Sequence, residues 1–282
     1  MYTNFPLYPT SIFSNTDYPA QVDNTDTVYA ALINALKTEM QACFDELGIL
    51  PKGSYISVKE RLKAISIAAG MAVASPISQW KMNDNLATTN AIDSVDSNNG
   101  TAQQNTDQLD TTGKINGALT FNGTSDYIDV GDQASLDFTT AFSFAGWVNL
   151  ASGADDHHEI VSKKGYRVWV VEGDGKIVFR SDATYTSTGN ITFGEWQHIA
   201  LTISNKTVKV YINGVYDSTF TLGVTVTGTS GNNFMIGRYS YSPDNFTEGA
   251  LDDIRMYGVA LSADDISMIW NLGNGTEDKN PL

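Results

Sequence analysis

The sequence predicts a mainly β protein, a sandwich of antiparallel strands preceded by a small α-helical N-terminal region. Three observations carry this reading. Beyond residue 79 apolar and polar residues alternate in short runs, the signature of half-buried strands. Glycine outnumbers proline 24 to 7, with Asn-Gly and Gly-Asp-Gly steps between those runs that suit tight hairpins. Before residue 76 the apolar residues instead recur at spacings of three and four, the helical period.

The elements follow in order. Tyr2 to Val22 reads as an extended arm, because Pro6, Pro9 and Pro19 block regular pairing. A first helix is capped at Asp26 or Thr27, carries Val28, Leu32, Leu36, Met40, Cys43 and Leu47 as one stripe, and stops at Gly48. Ser57 and Glu60 form a capping box for a second helix, with Leu62, Ile65 and Ala69 on one side. Two such helices bury too little apolar area to stand alone, so residues 1–75 are expected to dock on something: copies of themselves, a larger assembly, or the following domain. Residues 76–282 form that domain. Phe142, Phe144, Val148 and Leu150 alternate with Ser143, Ala145, Trp147 and Asn149; Ile199, Leu201 and Ile203 alternate in the same way, as do Val208, Val210 and Ile212. Asn122-Gly123, Asn213-Gly214 and Gly173-Asp-Gly175 are read as hairpin turns. A last helix is capped by Ser262 with Asp265, buries Ile266, Ile269 and Trp270, and ends at Gly273.

Composition narrows the function. The chain has 282 residues, 17 Lys and Arg against 32 Asp and Glu, and a net charge of -15. Affinity for a phosphate backbone comes from Lys and Arg displacing counterions, so neither nucleic acid nor an anionic membrane is expected as a partner. Residues 64–77 are the most apolar stretch, but they are too short and too rich in small side chains to span a bilayer. Cys43 stands alone, which excludes a disulfide framework within the chain.

Seven ordered segments carry a likeness: Trp80 to Asn85, Asp93 to Thr101, Gly113 to Gly123, Phe142 to Val148, Glu195 to Thr202, Val210 to Gly214 and Leu251 to Tyr257. Together they resemble the laminin-G-like, concanavalin A-like jelly-roll family over residues 79–272. That resemblance implies a jelly-roll sandwich, a fold that hosts lectins, glycanases and structural modules alike. Separately, Tyr8 to Ile12, the Asp26–Gly48 helix and Glu46 to Leu62 resemble a segment near the N-terminus of tailed-phage virion proteins, often fibres or other appendages.

Candidate chemistry follows. Calcium takes six to eight oxygens, which Asp/Asn/Gly-rich loops such as Asp93–Thr101 supply. By strand parity Asp252 shares a face with Ile254 and Met256, where an unpaired carboxylate is costly. The family resemblance joins the two, implying a structural calcium held by Asp252 with Asp84, Asp93 and Asn99; the alternative is that Asp252 pairs with a basic side chain or accepts backbone N–H groups. Asp155-Asp-His-His-Glu159 reads either as a further metal loop or as a polar connection. Carbohydrate binding needs exposed aromatic rings beside polar groups, and Tyr185, Tyr239, Tyr241 and Asp244 are the candidates. Trp147 and Trp196 are read as core, and His198 as a structural histidine with satisfied nitrogens. No catalytic residue is assigned, since neither Glu172 with Asp174 nor Glu248 with Asp252 sets two acids on one sheet face as glycoside hydrolysis requires.

The resulting expectation is a phage virion structural protein on the particle surface, assembled in the host cytoplasm. Residues 1–75 contact other virion proteins and form a homotrimer, while the jelly roll meets a host-surface glycan. Two alternatives are a capsid-stabilising decoration protein with no ligand and a glycan-active enzyme.

Overall fold

A computed structural model describes residues 73–153, 157–228, 231–241 and 245–278. The expected arm and both N-terminal helices lie outside the described residues, as does Asp244. The described strands form two sheets in which every ladder is antiparallel.

The first sheet runs β14 (Val215–Thr221), β13 (Thr207–Ile212), β12 (Gln197–Ser204), β7 (Ala141–Leu150), β16 (Glu248–Tyr257), β5 (Gly117–Asn122) and β4 (Asp110–Thr112), with β1 (Ser78–Trp80) also paired to β16. The second runs β11 (Thr184–Asn190), β10 (Lys176–Arg180), β9 (Tyr166–Val171), β8 (His157–Lys163), β15 (Phe234–Ile236), β6 (Ile128–Gly131), β3 (Gly100–Ala102) and β2 (Asn90–Ala91). Alternation decides what each face buries. Phe142, Phe144, Val148 and Leu150 of β7 point between the sheets and meet Val168 and Val170 of β9 in one core. Trp80 stacks on Phe234 across that core at 5.5 Å between ring centroids. Each such fully buried side chain contributes about 1.5–3 kcal/mol.

The outer face of the first sheet is also buried. Ala145, Ala200, Tyr211 and Tyr257 pack against Leu261, Ile266 and Ile269, the last two from α2 (Ala263–Trp270), which follows the short α1 (Thr106–Leu109) among the described residues. Ser262 and Asp265 close the predicted capping box, but the helix ends earlier than expected, on Asn271 in the left-handed conformation (φ 51°). Asn tolerates that conformation, so Gly273 is not needed as the stop.

Two of the three expected hairpins form. Asn213 and Gly214, both at positive φ, turn β13 into β14, and Gly173 to Gly175 joins β9 to β10. Asn122-Gly123 does not: it carries the chain from β5 in one sheet to β6 in the other. Asn122 Oδ1 accepts from the amides of Thr124, Ser125 and Asp126, and this side-chain turn mimics the composition of a hairpin without its pairing. Trp196 lies half-buried in a loop rather than in the core, and Trp147 is buried on the outer face of the first sheet, not between the sheets.

Candidate ligand-binding site

The outer face of the second sheet carries a different set of side chains. With Tyr166, Val168 and Val170 turned into the core, Arg167 and Trp169 of β9 point outward. Register then sets their neighbours: Arg167 lies opposite Ser162 on β8 and Arg180 on β10, and Trp169 lies opposite Glu159 and Val178. Arg167 is held on three sides. Its Nε donates to Glu159 Oε1 at 2.9 Å and its Nη2 donates to Glu159 Oε2, while its guanidinium lies 4.2 Å from the Trp169 ring centroid and 3.8 Å from that of Tyr239.

Tyr239 reaches this position because its loop is pinned to β8. The Ser162 hydroxyl donates to the Arg238 carbonyl and accepts from the Ser240 amide, both at 2.8 Å. Tyr241 follows, its ring 6.5 Å from that of Tyr239 and 5.6 Å from the Lys164 ammonium. Between this loop and the β8–β9 and β10–β11 turns opens a cleft of about 320 Å³, floored by Arg167 and walled by Lys164, Arg180, Ser181, Tyr239 and Tyr241.

Burial raises the Glu159 carboxyl to about 7, against the opposing pull of Arg167. The Arg167–Glu159 pair is therefore a rigid buried base for the cleft, and its cost is offset by two hydrogen bonds and two ring faces. Lys163, buried beneath the same edge, is neutralised by Asp132 at 3.1 Å and Asp137 at 2.8 Å.

The structure brings two of the sequence-predicted glycan residues, Tyr239 and Tyr241, together here. Tyr185 sits elsewhere: it packs against the core and Phe220, and its hydroxyl donates to Asp182 at 3.3 Å. Arg167, Trp169 and Arg180 were not read from the sequence as site residues. The only local signal for them is a polar or aromatic residue at every second position of an apolar strand, which equally describes a solvated face.

The expected calcium ligands fall in two groups. Asp84 accepts from the Ile92 amide at 3.3 Å, Asn99 Oδ1 from the Asp93 amide at 2.9 Å, and Asp93 Oδ1 from the amides of Gln79 at 2.9 Å and Val95 at 3.0 Å, so these three organise one loop. Asp252 Oδ2 accepts instead from the Ile115 amide at 2.8 Å. Its expected parity is overturned. Asp253 adopts φ 49° in a bulge of β16, so Asp252 lies opposite Trp147 on the outer face, while Ile254 and Met256 point into the core. Burial, then the charges of Asp253 and Glu277, push the Asp252 carboxyl up to about 8. Asp93 Oδ2 and Asp252 Oδ1 are buried without a hydrogen-bond partner. Among the described residues, no three His, Cys, Asp or Glu side chains are grouped to hold a metal.

His198, opposite Trp147 on the same outer face, is structural but not satisfied: it is fully buried and neither ring nitrogen has a hydrogen-bond partner. Of the Asp155–Glu159 run, residues 155 and 156 lie outside the described residues, and Arg167 engages both His157, at 3.0 Å, and Glu159.

Comparison with known proteins follows the fold. The family model described as "Concanavalin A-like lectin/glucanases superfamily" (Laminin_G_3) matches residues 122–267. No curated protein matches the chain. Among solved structures, domain 4 of AbnA, an extracellular arabinanase from Geobacillus stearothermophilus, in complex with arabinotriose, is 22% identical with a TM-score of 0.56, over 69% of this chain and 97% of that one. The botulinum neurotoxin serotype G binding domain is 15% identical with a TM-score of 0.51, over 69% of this chain and 50% of that one. A Trypanosoma rangeli sialidase in complex with the inhibitor DANA is 13% identical with a TM-score of 0.55, over 86% of this chain but only 39% of that one.

Proposed function

Because the chain belongs to the concanavalin A-like lectin/glucanases superfamily, we propose that its jelly roll is a saccharide-binding module, that the ligand sits in the cleft on the outer face of the second sheet, and that it is bound without turnover. The observation that carries this is the asymmetry of the sandwich. One outer face is sealed by α2, whereas the other presents Tyr239 over an immobilised arginine, with the Tyr241 ring tilted beside it, in an open cleft. Flat rings beside fixed polar groups suit the apolar faces and hydroxyls of a sugar. The arabinotriose complex of the AbnA domain supports the same reading.

The test is affinity electrophoresis of the full chain through gels containing arabinan, xylan or pectin, or binding to a glycan array. At least one saccharide is expected to retain the protein, and Tyr239→Ala to release it. No retention by any glycan, or retention unchanged by Tyr239→Ala, overturns the proposal and favours the decoration protein without a ligand.

The finer reading is that the module is displayed on a phage particle, with residues 1–75 as its attachment and trimerisation region and residues 76–282 as the domain that projects. The sequence likeness of residues 46–62 supports this. Immunogold labelling of intact particles and native mass spectrometry of the full chain test it; unlabelled particles or a monomer would refute it. A structural calcium belongs to the same proposal, held either in the loop of Asp84, Asp93 and Asn99 or at Asp252, supported by the unpartnered carboxylate oxygen that each of the two groups contains.

A further inference from the structure

In a chain of net charge -15, the cleft has the opposite character: four of the nine residues that line it are Lys or Arg and none is acidic. Lys163 is neutralised by Asp132 and Asp137, and Arg167 by Glu159. Arg180 is not. It is exposed, has no acidic partner among the described residues, and lies directly opposite Arg167 in the β9–β10 ladder. Like charges in directly opposed cross-strand positions are destabilising unless something offsets them. Glu159 is held on Arg167 by both of its oxygens, so among the described residues no carboxylate offsets Arg180. On the other side of the cleft, Lys164 keeps its ammonium over the Tyr241 ring, a second positive group facing the same space.

Resting on the saccharide-binding reading, we infer that the cleft selects an acidic sugar, its carboxylate taken by Arg180 beside Lys164 and its ring laid on Tyr239 and Tyr241. The guanidinium fork matches a carboxylate in geometry and charge, and such charge-assisted hydrogen bonds are about twice as strong as neutral ones. The volume of about 320 Å³ lies at the lower end of the range for small-ligand sites, about 300–1,000 Å³, and suits a short saccharide. The net charge of -15 disfavours binding of a long polyanion along the protein, which distinguishes this small basic cluster from a nucleic-acid surface.

The experiment is isothermal titration of the full chain with oligogalacturonate and with hyaluronan oligosaccharides, each compared with its methyl ester, which keeps the rings and removes the charge. A charge-assisted contact of about 1.5–3 kcal/mol corresponds to roughly ten- to a hundredfold in affinity. At least one acidic probe is expected to bind at least about tenfold more tightly than its ester. Arg180→Gln, a substitution at an exposed position, should abolish the preference for the acid over its ester. Tyr239→Ala should weaken both. Equal affinity for acid and ester, with Arg180→Gln silent, overturns the inference but leaves saccharide binding standing. Binding of neither form by any probe overturns both. Dextran sulfate bound as tightly as the uronates, with no loss on Tyr239→Ala, would show attraction of any polyanion and also overturn it.

Discussion

Replacing His198 by Phe should make the protein more stable at neutral pH and much less sensitive to acid. His198 is fully buried, its ring meets Trp147 edge-on at 5.2 Å, and neither nitrogen has a partner. Phe keeps the ring and the edge contact while removing two buried polar atoms, each of which costs about 1–3 kcal/mol when unsatisfied. The pH dependence follows from the ring's titration. Burial, reinforced by the charge of Arg255, lowers His198 from its ordinary 6.5 to about 3. Between those values the unfolded chain holds a proton that the folded chain does not, so stability is present above pH 6.5 and is lost as the pH falls towards 3. The loss approaches ~1.4 kcal/mol per pH unit, or about 2–3 kcal/mol by pH 4.5. For a domain of about 200 residues that is a fall of about 4–12 °C in Tm. Urea denaturation followed by far-UV circular dichroism at pH 7.0, 5.5 and 4.5 measures it. The carboxylates titrate alike in both proteins, so the difference between His198→Phe and wild type isolates the ring. The gap should widen on acidification; parallel stability profiles would show that the imidazole titrates normally and refute the argument.

Three further outcomes are expected. Arg255 is buried on Asp253, with Nε at 2.9 and 3.0 Å from its two carboxylate oxygens. Arg255→Met should cost about 3–5 kcal/mol by stranding that carboxylate, and Asp253→Asn in the same chain should recover part of it in a double-mutant cycle, because Asn tolerates the left-handed backbone there. Gly165 joins β8 to β9 at φ 104°, where a Cβ would stand 2.1 Å from the Thr227 carbonyl oxygen. Gly165→Ala should therefore destabilise by about 2–4 kcal/mol in the same denaturation assay and disturb the cleft it borders. If calcium is held, chelation should lower Tm, since a ligand at a hundredfold excess over Kd adds about 2.7 kcal/mol, and Asp252→Ala should abolish the response where Asp252 holds the ion; an unchanged melt in EDTA with no metal by elemental analysis removes the ion.

The fold was legible where local patterning and tertiary need agree. Phe142, Phe144, Val148 and Leu150 alternate because one face of β7 meets the second sheet, and Ser262 with Asp265 caps α2 through contacts three residues apart. The misreadings share a cause. Asn122-Gly123 has hairpin composition, but partner choice is set by ladders to β4 and β16 that no local window contains. Asp252 was placed by counting in twos from Ile254, and the count fails at one residue, because Asp253 in a left-handed bulge adds a step that turns Asp252 to the opposite face.

The same reasoning explains why the aromatic half of the cleft was visible and the basic half was not. Tyr239 and Tyr241 stand in a polar loop where rings have no core to fill, so their chemistry shows in the sequence. Arg167 and Arg180 each read as an ordinary outward residue of a strand, and only the β9–β10 register sets them side by side. Their adjacency is unfavourable for folding, and Glu159 offsets only one of the two charges. A neutral residue at position 180 should thus stabilise the uncomplexed domain slightly while weakening acidic ligands, and that opposition between stability and affinity separates a binding residue from a merely solvated one.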